Sequence, residues 1–511
     1  MIRATDIIFA YNLSFSIKTK KQKMKKTFIV LLCLLTLTSL KAISQGYEIK
    51  IKFTNLKDTN LFLGLHYGNN KYIKDTTRID KKGVAVFKGK TPLAPGIYLI
   101  ITPSRNYFEI LVREPLIYIE ADTTDLTGKI KVITSEENKR FYEYLAFMET
   151  QYENRQKLMK DKDKVKDNKE ESDKINEQLK QIDDTIIGFR KYAIKTYPNL
   201  FFGKLMKMME EPEPREKLEG ESDSIYGQYL YNFYQEHFFD NFDFSDSAIL
   251  RTPIYEARLD RFVDKMVMKN PDSVKCSVSR VIDKSLANRE VFKFTCIKFF
   301  NKYANEMNTY MGIDAIFFHL AKRYYLSGLA YWSDSTQMKK IADRVWNLEN
   351  NLIGMKAKEL ILIDTNNNYR SLYQTKAIYT VVIFWDVSCG HCKHEMPIIR
   401  DLYHKMGKDS LQIFAVHIGD DDKEWKKYIK EQNMDFIHVH DPQYYSNFRQ
   451  YYDVYKKPII YLLDKNKVIQ AKNIPADKLV DLIAFLNKNP VPEKKRGDSC
   501  EPLPAPKPLW K

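Results

Sequence analysis

Thr380-Val381-Val382-Ile383-Phe384-Trp385-Asp386-Val387-Ser388-Cys389-Gly390-His391-Cys392-Lys393 decides how this chain is read. The β-branched, apolar run from Val381 to Phe384 favours a strand buried on both faces, as at the centre of a parallel sheet. From Lys393 to Met406, the apolar residues Met396, Ile399, Leu402 and Met406 recur at helical spacing, with Pro397 delayed into the segment. The two cysteines fall at the join, where free N–H groups and the helix dipole favour an anion and so a thiolate on Cys389. Two intervening residues return Cys392 to the same turn, where it can attack a mixed disulfide on Cys389. Cys389 is therefore expected as the exposed attacking sulfur and Cys392 as the buried resolving one. His391 sits beside them. By donating a hydrogen bond or carrying charge it would stabilise the dithiol and make the disulfide a stronger oxidant.

The same stretch resembles the thioredoxin-fold envelope thiol–disulfide oxidoreductases of the TlpA/ResA-like group, which includes the cytochrome c maturation thioredoxins. Cys389-Gly390-His391-Cys392-Lys393-His394-Glu395-Met396-Pro397 matches the group's Cys-x-x-Cys-Lys-x-Glu-x-Pro. The resemblance implies that Glu395 moves the proton of the buried thiol. It also aligns Trp385 with the strand-end aromatic. Tyr455-Lys456-Lys457-Pro458-Ile459-Ile460-Tyr461-Leu462-Leu463-Asp464 resembles the segment whose cis-proline faces the cysteines. A cis Pro458 would leave the backbone of Lys457 free to pair with a substrate strand. Lys457, Pro458 and Trp385 are accordingly the expected substrate-binding residues. Two positions depart from thioredoxins proper: Ile383 stands where they carry a buried Asp, and Ser388 where they carry Trp. Proton handling then rests on Glu395, Asp386 or water. The likeness covers about residues 350–489.

A Cys-x-x-Cys is also half of a zinc site. A structural zinc site needs four ligands, and no second pair lies at zinc-ribbon spacing. His391, His394, His438 and His440 are the remaining candidates. Haem attachment needs His where Lys393 stands. The expectation is thus no metal, and no cofactor beyond the Cys389–Cys392 disulfide itself. Two alternatives stand beside the oxidoreductase reading: a metal-binding envelope protein using the same Cys/His cluster, and a non-enzymatic scaffold.

The 511 residues suit about three domains. The net charge of +16 raises the question of nucleic acid. However, the lysines are interleaved with acids, as in Lys160-Asp161-Lys162-Asp163-Lys164, and no nucleic-acid motif accompanies them. Solvated helix faces account for the charge, and the expected partners are protein thiols or disulfides and a redox partner protein. Of six cysteines, Cys33 lies in the leader and Cys500 in the tail. Cys276 and Cys296 are read as core thiols, with a bond between them left open. An odd number remaining after the leader argues against a disulfide-stapled scaffold.

In chain order, residues 1–44 read as a signal peptide, with Met24 an alternative start. A basic Met24-Lys25-Lys26 precedes an apolar run from Phe28 to Leu40 and a small-x-small site at Ala42-Ile43-Ser44. Export to the periplasm or cell envelope follows, with no transmembrane segment in the mature chain. Residues 46–134 read as a small antiparallel β-sandwich or barrel of seven short strands separated by turn residues. This stretch resembles the β-domain often placed before envelope thioredoxin domains. Residues 135–348 switch to helical spacing, as in Phe141, Leu145, Met148 and Tyr152, and read as one helical domain. The charged run from Lys157 to Lys174 reads as an exposed helix pair with a polar turn. Residues 350–489 form the α/β thioredoxin-like domain, and 490–511 a disordered Pro-rich tail. The expected fold class is multidomain: β-sandwich or barrel, helical middle, α/β thioredoxin fold.

Overall fold

The computed structural model describes residues 46–166, 168–306, 311–454 and 456–491. The expected signal peptide and almost all of the Pro-rich tail lie outside the described residues. The chain divides into two compact units, residues up to 210 with 251–254, and 211–250 with 255 onward.

The first unit opens with β1 (Tyr47–Phe53), β2 (Asn60–Tyr67), β3 (Asn70–Arg78), β4 (Val84–Gly89), β5 (Gly96–Ile101), β6 (Tyr107–Val112), β7 (Leu116–Ala121) and β8 (Lys131–Thr134). Side-chain alternation along these strands sends Ile49, Ile51, Leu61, Leu63, Ile100, Ile110, Ile117 and Ile119 into one shared core. Two four-stranded sheets enclose it, in the orders β4-β1-β7-β8 and β3-β2-β5-β6. The sandwich is not wholly antiparallel: β1 and β7 run parallel, with Ile49 opposite Ile117. Turn residues mark each reversal of the chain, but they carry no information about which strand β7 meets on its return.

Three helices complete this unit: α1 (Glu136–Lys164), α2 (Lys169–Thr196) and α3 (Phe201–Met209). Asn138 is fully buried and pairs twice with Leu111 of β6, accepting from its N–H at 2.9 Å and donating to its carbonyl at 2.8 Å. A side chain here does the work of a neighbouring strand for an edge residue. Glu137 accepts from the amides of Phe201 and Phe202 at 2.7 and 2.8 Å, capping α3, whose own N-cap residue Leu200 makes no side-chain bond. Phe141 is buried, but Tyr152 on the same helical stripe is exposed, because the distal part of α1 projects into solvent with the charged turn.

The second unit carries α4 (Asp223–His237), α5 (Ile254–Arg261), α6 (Pro271–Ser285), α7 (Arg289–Glu306), α8 (Ile313–Leu320) and α9 (Ser335–Leu348). The helical stretch read as one domain is therefore shared between the two units. The α/β part follows: β9 (Ile361–Asp364), β10 (Tyr369–Ser371), β11 (Tyr379–Trp385), α10 (Gly390–Met406), β12 (Leu411–His417), α11 (Asp422–Glu431) and β13 (Ile437–His440). Then come α12 (Phe448–Tyr451), β14 (Ile459–Asp464), β15 (Ile469–Lys472) and α13 (Leu479–Lys488). Their sheet runs β10-β9-β13-β12-β11-β14-β15. β11 lies inside it, parallel to β12 and antiparallel to β14. Val381, Ile383 and Trp385 join the core that holds Met396 and Trp425. Val382 and Phe384 join the opposite core with Phe448 and Tyr452. Each such aliphatic or aromatic burial stabilises by about 1.5–3 kcal/mol, which is why the strand is apolar at every position from Val381 to Trp385.

The helices of this unit are tied to its sheet by buried charge. Lys472 of β15 pairs with Asp314 of α8, and both are almost inaccessible. Lys472 also donates to Asn351 Oδ1 at 2.7 Å. Arg344 of α9 pairs with Asp453, just past α12. Cys276 departs from its reading as a core thiol. It is disulfide-bonded. Cys296, Cys389 and Cys392 are free. Cys296 is a buried thiol, as expected, and burial pushes its ionisation up.

Candidate active site

β11 ends at Trp385, with Asp386 directly after it, and α10 begins four residues beyond Asp386. Cys389 is the N-cap residue of α10, with extended backbone and no side-chain bond to the helix amides. Its amide donates to the Asp386 carbonyl at 3.1 Å. Its sulfur is partly exposed. Cys392, one turn on, is 0% exposed. Burial pushes its thiol up to about 12, and the neighbouring Cys389 sulfur adds to the rise. The two cysteines thus meet at a helix N-terminus, one facing outward and one sealed beneath it.

The Lys457–Pro458 peptide is cis. It sets the Lys457 carbonyl 3.6 Å from the Cys389 sulfur, which donates to it. The Lys457 ammonium reaches the other way and pairs with Asp386. Asp386 is 7% exposed and also accepts from the Ser388 amide at 2.8 Å. Burial alone would raise its carboxyl, but the bonds from Lys457 and Ser388 win and hold it below the usual carboxylate range. The Lys457 ammonium is raised, first by its bond to Asp386 and further by the nearby Cys389 and Cys392 sulfurs.

Clefts flank the cis-proline on both sides. One of about 330 Å³ is lined by His391, Glu395, Pro458 and Asn473 among others. The other, of about 620 Å³, runs past Ser388, Lys393, Asp421, Glu424 and Lys456. Glu395 faces the first cleft, and one of its oxygens accepts from the Ala476 amide at 2.5 Å. His391 is exposed on the first turn of α10.

Comparison with known proteins agrees with this geometry. Residues 353–472 match the AhpC/TSA family, 227–351 a domain of unknown function, DUF5106, and 47–141 another, DUF4369. Residues 353–472 form an AhpC/TSA-family, thioredoxin-like domain. A thiol-disulfide oxidoreductase ResA of Geobacillus kaustophilus is 28% identical over 116 residues, covering 22% of this chain and 64% of its own length. That of Bacillus subtilis is 26% identical over 118 residues, 23% of this chain and 65% of its own. The chain thus spans just under two thirds of these relatives. Among solved structures, a domain of a possible thiol-disulfide isomerase from Cytophaga hutchinsonii is 39% identical, covering 27% of this chain and 95% of that one, with a TM-score of 0.26. A thioredoxin-like protein from Bacteroides caccae is 18% identical, covering 54% of this chain and 98% of that one, with a TM-score of 0.41.

Within the thioredoxin-like domain, Cys389, Cys392, Lys457 and Pro458 converge, and His391 and Glu395 line the adjoining cleft. Trp385 does not belong with them. It is 0% exposed, so it offers no surface to a visiting polypeptide and instead packs against His417, Tyr428 and His438. Among the described residues, no group of three or more His, Cys, Asp or Glu side chains is placed to hold a metal ion. His438 is buried against the Met434 carbonyl, and His440 pairs with Asp422.

Sequence reading passed over two residues beside Asp386. His417 is 2% exposed and stacks on Trp425 at 4.9 Å. Neither of its ring nitrogens has a hydrogen-bond partner among the described residues, and burial pushes it down to about 4. Gly419 leaves the space that both need. A Cβ there would stand 2.6 Å from the Asp386 Oδ1 and 3.0 Å from the His417 Nε2. The available signal was a glycine directly after an apolar strand, a common turn feature that singles out no site.

Proposed function

We propose that this chain is an exported thiol–disulfide oxidoreductase that exchanges disulfides with protein substrates through the Cys389-Gly390-His391-Cys392 pair. The observation that carries the reading is a partly exposed Cys389 beside a fully buried Cys392, with the carbonyl before the cis-proline at 3.6 Å. In the reducing direction, the Cys389 thiolate attacks a substrate disulfide, forming a mixed disulfide and releasing one substrate thiolate. Cys392 then loses its proton and attacks the Cys389 sulfur. The intramolecular disulfide forms and the second substrate sulfur leaves. Two electrons and two protons pass to the substrate, and oxidation runs the same steps backward.

The second step needs a base, because burial holds the Cys392 thiol protonated at neutral pH. Glu395 is the proposed proton carrier and His391 the group that tunes the poise. The Lys457 backbone and Pro458 present an edge on which an extended substrate strand docks. No group beyond the two sulfurs is required. The sequence at residues 24–44 supports export to the periplasm or envelope, and no described helix is long and apolar enough to cross a membrane.

The test is to equilibrate the protein with glutathione buffers and to trap substrates with Cys392→Ser. The expected results are one intramolecular disulfide between Cys389 and Cys392 and mixed disulfides through Cys389 with exported proteins. Absence of both overturns the proposal.

A further inference from the structure

We infer that Asp386 and Lys457 form an opposed-charge pair that positions the cis-proline loop over Cys389 and sets the reduction potential of the disulfide, Lys457 raising it and Asp386 lowering it. The inference rests on the thiol–disulfide reading of the same site. Lys457 is held at two points, its carbonyl by the Cys389 sulfur and its ammonium by Asp386. Asp386 is held at two as well. Its carboxylate accepts from Ser388, and its carbonyl accepts from the Cys389 amide. The ion pair therefore closes a ring of contacts around Cys389, joining the end of β11 to a loop 71 residues away. Gly419 keeps the space against the carboxylate clear.

Other ionisable groups face this ring. From α10 come His391, Lys393 and Glu395. From the β12–α11 side come His417, Asp420 and Asp421, and Lys456 adjoins in the cis-proline loop. Asp386 and Lys457 bond to each other, and both act on the sulfurs.

A cation near the sulfurs favours the thiolate of the reduced form, and a disulfide whose reduced form is stabilised is the stronger oxidant. An anion acts in the opposite sense. Lys457→Met and Asp386→Asn break the same ion pair, yet each uncovers the charge that the other had offset. A pair that merely fastened the loop would shift both variants in one direction.

The experiment uses the full-length chain in two assays: equilibrium with glutathione buffers, and the rate of Cys389 alkylation by iodoacetamide at pH 7. Lys457→Met is expected to lower the oxidising equilibrium constant on the order of tenfold, equivalent to about 30 mV for a two-electron couple, and to slow alkylation similarly. Asp386→Asn keeps an acceptor for Ser388 and is expected to shift both readouts the opposite way. Lys457→Arg should stay near the parent. Shifts of one sign in both variants, or none in either, overturn the inference while leaving the proposed function standing. If the parent protein forms no disulfide in any buffer, the proposed function fails, and the alkylation rates still decide the charge effect.

Discussion

Lowering the pH from 7 to 5 should loosen the unit that carries the cysteines, and the structure says by how much. His417, stacked on Trp425, and His438, stacked on Phe436, are buried as neutral rings, pushed down to about 4 and about 3 from the ordinary 6.5. Their folded values are depressed, so the unfolded chain binds their protons first as pH falls. Their contribution is fully present above about pH 6.5 and drains away toward their folded values. At pH 5 each has lost about 2 kcal/mol, and His319 of α8, also pushed down to about 4 by burial, loses about as much, on the order of 6 kcal/mol for the three. Asp453 runs the other way. Burial raises it from 3.8 to about 6 despite Arg344. The folded state therefore takes up that proton first, and about 1 kcal/mol is regained over the same interval. The net loss is roughly 4–5 kcal/mol, or roughly 2 M in urea midpoint for a unit of this size. Urea unfolding followed by tryptophan fluorescence measures it, since Trp385 and Trp425 are buried beside His417. His417→Phe keeps a ring against Trp425 but takes no proton, and should remove about 2 kcal/mol of the pH-dependent part. A midpoint indifferent to pH between 7 and 5, or a shift that survives intact in the His417→Phe/His438→Phe double variant, would refute the reasoning.

Three further outcomes are expected. Asn138→Ala leaves the buried N–H and carbonyl of Leu111 unmet and should cost the first unit about 2 kcal/mol in thermal or urea unfolding. Lys472→Met strands Asp314 in the interior and should cost the second unit roughly 3–5 kcal/mol, whereas the Lys472→Met/Asp314→Leu double variant recovers most of that. Gly419→Ala should cost about 1–3 kcal/mol, because Asp386 and His417 are both buried and must shift. In an Asp386→Ala background the same substitution should cost measurably less, a coupling that a double-mutant cycle reads directly.

Much of the fold was legible because its signals are local. Alternation marked seven of the eight strands of the first unit. The missed β8 is short, and only Val132 and Ile133 give it an apolar signal. The cysteines, their helix and the cis-proline segment each carry a short motif, so the helix start at Cys389 and the cis bond at Pro458 were legible from spacing and resemblance. Trp385 could be read as packing or as a substrate contact, and its complete burial leaves packing, because strand periodicity cannot say how deeply a strand-end ring is covered. Cys276 was misread because an apolar neighbourhood in sequence does not reveal a bonding partner.

The residue pattern alone determined the order of the parts: strands, helices, then a sheet with two thiols at the head of a helix. Those features depend on periodicity, turn chemistry and dihedral preference, which act over a few residues. Only the tertiary structure brought Lys457 to Asp386, put β7 beside β1 and divided the helices between two units. These depend on which distant surfaces bury each other, and no local pattern encodes the partner of a buried charge.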